Sequence, residues 1–335
     1  MTRLAVCAIA FLGCASPDPF AARTYEFGPF DVAAGEEVTK TCVQITLDND
    51  DDLFINTIDL ETGPGFHHSN WFFVPETVFR GDDGAFDCDD RGFNEAVAAV
   101  FGGVLFAQST QSTREIQQFP DGVVIKVPQK SKLVSQVHLL NSSDAALQIR
   151  PRITVQPVPE TAVATVLAAV SFQNQAIALP GNMQSDFTVE CDLSERHQEL
   201  FSRAPDFKLF YGLAHYHELG TKLTIEAITP EGVAAPVFTT ENRVGDAMGG
   251  PLDPPFDMTG YAKLRFSCEY FNPRAETVRW GTGDQEMCVF LAFSDSTFNW
   301  GGGVISEIEP ENPVQEGNTM HFTNSCTVLA NDAQR

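Results

Sequence analysis

The sequence predicts an all-β protein built as two tandem antiparallel, jelly-roll-like β-sandwich domains, and three observations carry that prediction. At 335 residues the chain exceeds what a single hydrophobic core usually organises. Its 25 Gly, 20 Pro and 27 Phe suit many short strands joined by tight turns better than long helices. Apolar runs of strand length recur between turn residues, whereas helical periodicity shows only in NEAVAAVF and SERHQELF.

Taken in order, the chain opens with MTRLAVCAIAFLGCAS, a single positive charge followed by a short apolar run that ends in small residues. This predicts a secretion signal over residues 1–14, too short to remain in a bilayer as a span. FLGC ending at Cys14 resembles a bacterial lipobox, so lipid acylation of Cys14 and ordinary cleavage near Ala15 are both open. The implied location is outside the cytoplasm: bacterial periplasm, outer membrane or cell surface, with membrane contact only through such an anchor. A formal net charge of −24 excludes nucleic acid or an anionic lipid surface as the expected partner, because the summed field repels both. The acidic clusters DNDDD at Asp48 and GDDGAFDCDDRG at Gly81 are expected to be solvated loops; the first has Leu53 where a calcium loop needs glycine.

VVIKVP, KLVSQVHLL and ALQIRPRITV predict successive strands of a first domain, residues 15–157. The prolines of QPVPE, residues 156–160, place the boundary, and the second domain runs over 158–335. There FKLFYGLAHYH, the turn ELG and TKLTIEAI predict a hairpin, followed by strands in AKLRFSCEY and MCVFLAFS. Beyond the signal lie six cysteines, Cys42, Cys88, Cys191, Cys268, Cys288 and Cys326, an even number that reads as a disulfide framework. None forms a CxxC pair, so a zinc ribbon or thioredoxin-like site has no support.

Histidine placement carries the chemistry. Strict alternation along KLFYGLAHYH puts Leu209, Tyr211, Leu213, His215 and His217 on one face, and His215 with His217 can chelate one ion. The doublet His67-His68 behaves differently, since neighbours on a regular strand point to opposite faces. Both rings can serve one ion only if the backbone between Phe66 and Ser69 leaves the regular strand, as the flexible GPG before it permits. His138 follows His68 by 70 residues, just as Met287 follows His217. Each half thus offers a pair and a distant third ligand. A thioether suits Cu(I) far better than zinc, calcium or magnesium, so the second set is of copper type, while three histidines suit zinc or copper. His197 and His321 carry little functional expectation, being read as surface or cysteine-adjacent, and Ser194 lacks a nucleophile turn.

Four blocks in this order, FHHSNW, SQVHLL, HYHELG and DQEMC, resemble the copper type II, ascorbate-dependent monooxygenases, the family of the peptidylglycine alpha-hydroxylating and dopamine beta-monooxygenases. The similarity spans roughly Thr24 to Ala330. It implies two copper ions, one on His67, His68 and His138 for electron transfer, the other on His215, His217 and Met287 for dioxygen. It also implies jelly-roll-like sandwiches facing each other across an open cleft, ascorbate or another electron donor as reductant, and hydroxylation of a substrate C–H bond. Pairings Cys42 with Cys88, Cys191 with Cys326 and Cys268 with Cys288 follow from the same resemblance. Departures are Ser69 in the doublet block and Leu213, Val289 and Leu291 where peptide-amidating members anchor a carboxylate. They point to a small, neutral or apolar substrate. The alternative is a protein of the same fold that binds copper for delivery, storage or sensing without turnover.

Overall fold

The structure, a computed structural model, describes residues 18–109, 111–306 and 311–333. The expected signal segment and Cys14 lie outside the described residues. Among them no helix is long and apolar enough to cross a membrane.

Strands dominate, and they form two sandwiches. In the first, one sheet runs in the order Arg23–Glu26, Arg152–Val158, Leu53–Glu61, Val123–Val127, Thr165–Val166, with Arg114–Gln118 also on Leu53–Glu61. Its partner sheet is Gly84–Asp87, Glu37–Thr46, Ser131–Leu140, Phe66–Pro75, Gly103–Ala107. In the second, Gly249–Asp257, Lys208–His215, Val289–Ser294, Ala168–Asn174, Phe298–Val304, Thr327–Asp332 face Ala234–Thr240, Gly220–Ile228, Lys263–Asn272, Met183–Asp192, Thr319–Ser325, Glu311–Glu316. Pairing is mostly antiparallel, with parallel neighbours at Thr165–Val166, Ala168–Asn174 on Phe298–Val304, and Met183–Asp192 on Thr319–Ser325. Pro157 of QPVPE does not end its strand: Arg152–Val158 continues through it with a register shift and stops before Pro159. The chain then stays with the first sandwich as far as Val166.

The helices Glu95–Phe101 and Ser194–Phe201 form where helical periodicity predicted them. The second buries His197, whose ring stacks on Trp300 at 5.7 Å and whose Nδ1 donates to the Arg203 carbonyl. His197 is therefore a core residue, which corrects its reading as surface. His321 is half-buried beside Asp186 on the Thr319–Ser325 strand. The acidic loops are tied to the frame by exposed pairs such as Asp50 with Lys130 and by Asp83, which accepts from Thr46.

The expected hairpin around ELG is corrected. Lys208–His215 and Gly220–Ile228 belong to opposite sheets, so the turn at His217 to Leu219 is an arch across the sandwich. The turn is tight enough that a Cβ at Gly220 would stand 2.2 Å from the Tyr216 ring, which makes glycine obligatory there. Alternation in the first of these strands is also broken. A register shift between Leu209 and Tyr211 inserts Phe210 as an extra residue, so Leu209 joins the second core while Phe210, Tyr211 and Leu213 pack on the first. The strand is apolar on both faces because the sheet is covered on both faces.

That covering fuses the halves. Leu167, Ala169, Tyr211, Leu213 and Phe293 of the second half complete the core built by Trp71, Phe106 and Leu133 of the first. Phe119 meets Tyr211 and Phe293 edge-on at 5.9 and 5.4 Å. An open cleft between facing domains, as the family resemblance implied, is not what this apolar seam forms.

Disulfides join Cys42 to Cys88, Cys191 to Cys326 and Cys268 to Cys288. Such bonds persist in oxidising compartments, which places the folded chain outside the reducing cytoplasm.

Candidate functional site

At one end of the seam five imidazoles meet. His67 and His68 come from the Phe66–Pro75 strand, His138 from Ser131–Leu140, His215 from the end of Lys208–His215, and His217 from the arch that follows. The doublet reaches the cluster through a bulge. His138 opposes His68 while Leu139 opposes Phe66, which leaves His67 as the extra residue on its strand. Gly65, at φ +87°, leads into the bulge with Leu147 and Ile149 packed 3.0 Å from where a Cβ would be. The departure from a regular strand that the doublet demanded is present.

Ring centroids of His67 and His68 are 5.0 Å apart, His68 and His138 4.4 Å, and His215 and His217 5.4 Å. Contacts between the halves are as close: 4.7 Å for His68 to His215 and 5.2 Å for His67 to His217. The two separate ligand sets expected from sequence have become one cluster.

Burial lowers the affinity of these rings for a proton, and at His67, His68, His138 and His215 the neighbouring imidazoles lower it further. His67 falls to about 3 and His138 to about 4, while His68, His215 and His217 also fall below the ordinary value. All five are neutral at pH 7 and keep a lone pair. His217 Nδ1 donates to the Gln285 carbonyl at 2.8 Å, which leaves its buried Nε2 as a bare acceptor with no hydrogen-bond partner. Gln111 Nε2 donates to His67 Nδ1 at 3.1 Å, and the His215 ring is hydrogen-bonded to the Gln108 backbone. His68 is the outlier, since it is 6% exposed and neither of its nitrogens has a hydrogen-bond partner among the described residues. A buried unsatisfied polar atom costs about 1–3 kcal/mol, so native structures retain one where a ligand repays it.

Two segments outside the histidine motifs hold the cluster together. Glu286 accepts from the His217 and Leu219 N–H groups at 2.9 and 2.7 Å and from Met287 N–H at 3.3 Å. One carboxylate thus fixes the arch and brings the half-buried Met287 segment alongside His217. Burial raises this carboxyl to about 7 against the pull of those N–H donors. In the other half, Gln108 Oε1 accepts from Ser69 N–H at 3.0 Å, and Ser69 Oγ in turn accepts from Trp71 Nε1 at 3.0 Å. Ser69, a departure from the family pattern, is part of this scaffold. Ser109 Oγ accepts from Met248 N–H across the seam at 2.7 Å and donates to the buried Glu115. Glu286 stood inside the quoted DQEMC block without a role; Gln108, Ser109 and Gln111 had no sequence signal at all.

Glu115 carries a prediction. Burial raises its carboxyl from 4.5 to about 7, so between those values the folded chain holds a proton that the unfolded chain releases. Its contribution is therefore fully present below pH 4.5 and is lost as pH rises from there through 7, by about 3 kcal/mol. Glu95 and Glu286 are raised in the same direction. Replacing Glu115 by Gln is expected to flatten the fall of the unfolding midpoint between pH 5.5 and 8. Parallel profiles for both proteins would show that Glu115 titrates normally in the folded state.

Imidazole and thioether are donor types that a copper-type ion accepts. An imidazole nitrogen about 2.0–2.1 Å from a metal sets two rings on one ion with centroids roughly 4.5–5.3 Å apart, close to the spacings observed. Yet among the described residues no group of three or more His, Cys, Asp or Glu side chains is disposed to hold a metal ion. Pairwise spacing and threefold disposition thus disagree.

Neither a protein-family model nor a curated protein matches the chain. Among solved structures, it is similar to the major capsid protein P2 of bacteriophage PM2, at 9% identity and a TM-score of 0.31, over 82% of this chain and 97% of that one. It is also similar to PNGase F, a glycosylasparaginase from Flavobacterium meningosepticum, at 11% identity and a TM-score of 0.34, over 82% and 96%. A third is the PBSX exported protein XepA, at 9% and 0.21, over 81% and 86%. At these scores none says what this chain does.

The expected membership of the copper type II monooxygenase family is corrected by these findings. Neither sequence comparison finds that family, and no three-ligand group of His, Cys, Asp or Glu is disposed for metal in either half among the described residues. The physical difference is the seam, where the rings that should face each other at a distance are in contact. What fold and site define is a disulfide-stapled, two-sandwich β protein with a buried imidazole cluster at its seam.

Proposed function

We propose that this protein binds copper in the imidazole cluster, as an exported copper carrier, store or sensor. One observation carries the reading: among the described residues, His68, buried with four other neutral imidazoles, has both ring nitrogens without a hydrogen-bond partner. His67, His68, His138, His215 and His217 would hold the metal. Met287, tied to His217 through Glu286, adds a thioether that favours Cu(I) over zinc. Bound there, copper would supply a redox-active, electron-accepting centre. The residues themselves supply neutral donors, a His217 tautomer fixed by Gln285, and a dry seam closed by Phe119, Tyr211 and Phe293. Export and acylation at Cys14 belong to the same proposal, and the disulfides support an extracytoplasmic site.

A second reading is favoured by Met287. A soft donor on the segment that Glu286 ties to the His217 arch suits an ion that meets dioxygen in its reduced state, so the loaded protein would be a copper- and ascorbate-dependent monooxygenase acting on a small neutral or apolar substrate. Leu213 and Leu291, paired across adjacent strands at the seam, supply the apolar lining that such a substrate needs once the seam opens.

Titration of the full mature chain with Cu(I) in competition with a chromophoric chelator tests the first reading. Retention of copper, lost when His68 is replaced, is expected; copper that exchanges as freely as from a histidine-free surface would refute it. Ascorbate-driven oxygen uptake coupled to a hydroxylated product would favour the second reading over the first.

A further inference from the structure

The helix Glu95–Phe101 carries its amphipathicity reversed. Its small residues Ala98 and Ala99 face the outer surface of the sheet, where Ala98 is buried with Phe72, Val74 and Val134. Just beyond the helix, a Cβ at Gly102 would collide with the Phe73 carbonyl oxygen, so helix and strand lie as close as backbone allows. Val97, Val100 and Phe101, at the i, i+3, i+4 spacing of one helix face, are instead 39%, 51% and 57% exposed. The one charged side chain of the helix, Glu95, is half-buried and accepts from Asn70 Nδ2 at 3.4 Å. A surface helix ordinarily does the opposite, burying its large apolar stripe and exposing its charge.

The stripe stands beside a strongly acidic loop. Phe79 and Phe93 bracket residues 80–92, and their rings meet at 5.3 Å, with Phe93 also 6.5 Å from Phe72 beneath the helix. Both ends of the loop are thus held at the foot of the helix, and the loop carries five aspartates against two arginines. Asp82, Asp87, Asp89 and Asp90 are exposed. Arg91 turns inward, donating to Gln44 Oε1 and lying 3.9 Å over the Phe86 ring. An exposed apolar stripe rimmed by charge of one sign is the form of a recognition surface, and the rim selects the occupant. A second copy related by a twofold axis would set the acidic loop against itself. An anionic lipid surface would be repelled by a chain of net charge −24. A cationic protein segment meets neither cost.

We propose that the stripe of Val97, Val100 and Phe101 docks a cationic amphipathic segment of a partner protein, with its apolar face on the stripe and its lysines or arginines over Asp82, Asp87, Asp89 and Asp90. The surface is independent of the imidazole cluster. Apolar spacing sets which segment fits, and the acidic rim steers its approach.

The test uses the full chain and, as probe, a short lysine–leucine peptide whose leucines keep helical spacing, beside a peptide of the same composition with that spacing scrambled. One variant combines Val97→Ala, Val100→Ala and Phe101→Ala, changes that keep helix propensity; the other combines Asp82→Asn and Asp90→Asn. The unaltered chain is expected to bind the helical peptide at least about tenfold tighter than the scramble, and the alanine variant to lose that margin. The asparagine variant is expected to bind about 3-fold more weakly and with less dependence on salt. In the complex of the unaltered chain, the amides of residues 97–101 are expected to exchange about fivefold more slowly or better, a reading that does not depend on how any variant folds. Equal binding of the two peptides by the unaltered chain, an alanine variant that keeps the margin, or unchanged exchange over 97–101 would overturn the proposal. So would binding of phosphatidylcholine vesicles through the same three residues, or a concentration-dependent dimer that the alanine changes abolish, since the occupant would then be lipid or a second copy.

Discussion

Replacing His68 by leucine is expected to stabilise the metal-free protein by about 1–3 kcal/mol and to abolish copper retention. The substitution keeps a comparable volume at a position that is 6% exposed, and it removes two buried nitrogens that have no hydrogen-bond partner among the described residues. Metal-free protein therefore gains, because the side chain no longer carries unmet polar atoms into an apolar seam. Copper-loaded protein loses, because ion binding at a hundredfold excess over Kd contributes about 2.7 kcal/mol that the variant cannot collect. Opposite signs with and without metal are the signature of a residue kept for a ligand. A destabilised variant with unchanged copper affinity would mark His68 as ordinary packing. Chemical unfolding with and without one equivalent of Cu(I) measures both terms.

The second large effect concerns the disulfides, and it separates stability from site. Cys191–Cys326 closes a span of 135 residues and Cys268–Cys288 one of 20. Chain entropy assigns them about 5 and about 3 kcal/mol respectively. The long bridge ties the strand Met183–Asp192 to the residue that follows Thr319–Ser325, and neither of its cysteines adjoins the Glu286 and Met287 segment that holds the His217 arch. The short bridge anchors Cys288, next to Met287 and two residues from Glu286, which holds the His217 arch. Removing Cys191 and Cys326 together is expected to cost more stability than removing Cys268 and Cys288, yet to leave copper affinity within about 3-fold. Removing the short bridge is expected to weaken copper binding by about tenfold or more, because the carboxylate that orients His217 loses its tether. Equal effects of both pairs on affinity would place the Met287 segment outside the site.

Much of this architecture was legible in the sequence, for identifiable reasons. Alternating apolar runs and turn residues specify strands through local propensity and burial, so the all-β class and both short helices followed from pattern alone. The bulge at His67 was legible because two adjacent rings can meet one partner only if the strand breaks its period. What escaped was tertiary. Nothing local distinguishes a hairpin at Glu218 from an arch to the opposite sheet, since the arch is decided by Glu286, 67 residues beyond Leu219. The side of Leu209 was misassigned because Phe210 is an extra residue that only the neighbouring strands reveal. The histidines were found as two sets because each lies in its own half of the sequence. Their union depends on an apolar seam between halves, which hydrophobic pattern cannot tell from an ordinary core face.

Copper K-edge X-ray absorption of the full chain loaded with one equivalent of Cu(I) tests the central claim most directly. The account predicts a nitrogen shell with the outer-shell scattering of imidazoles, lost in His68→Leu. A shell of light scatterers without imidazole features, or an unchanged spectrum in that variant, would contradict it.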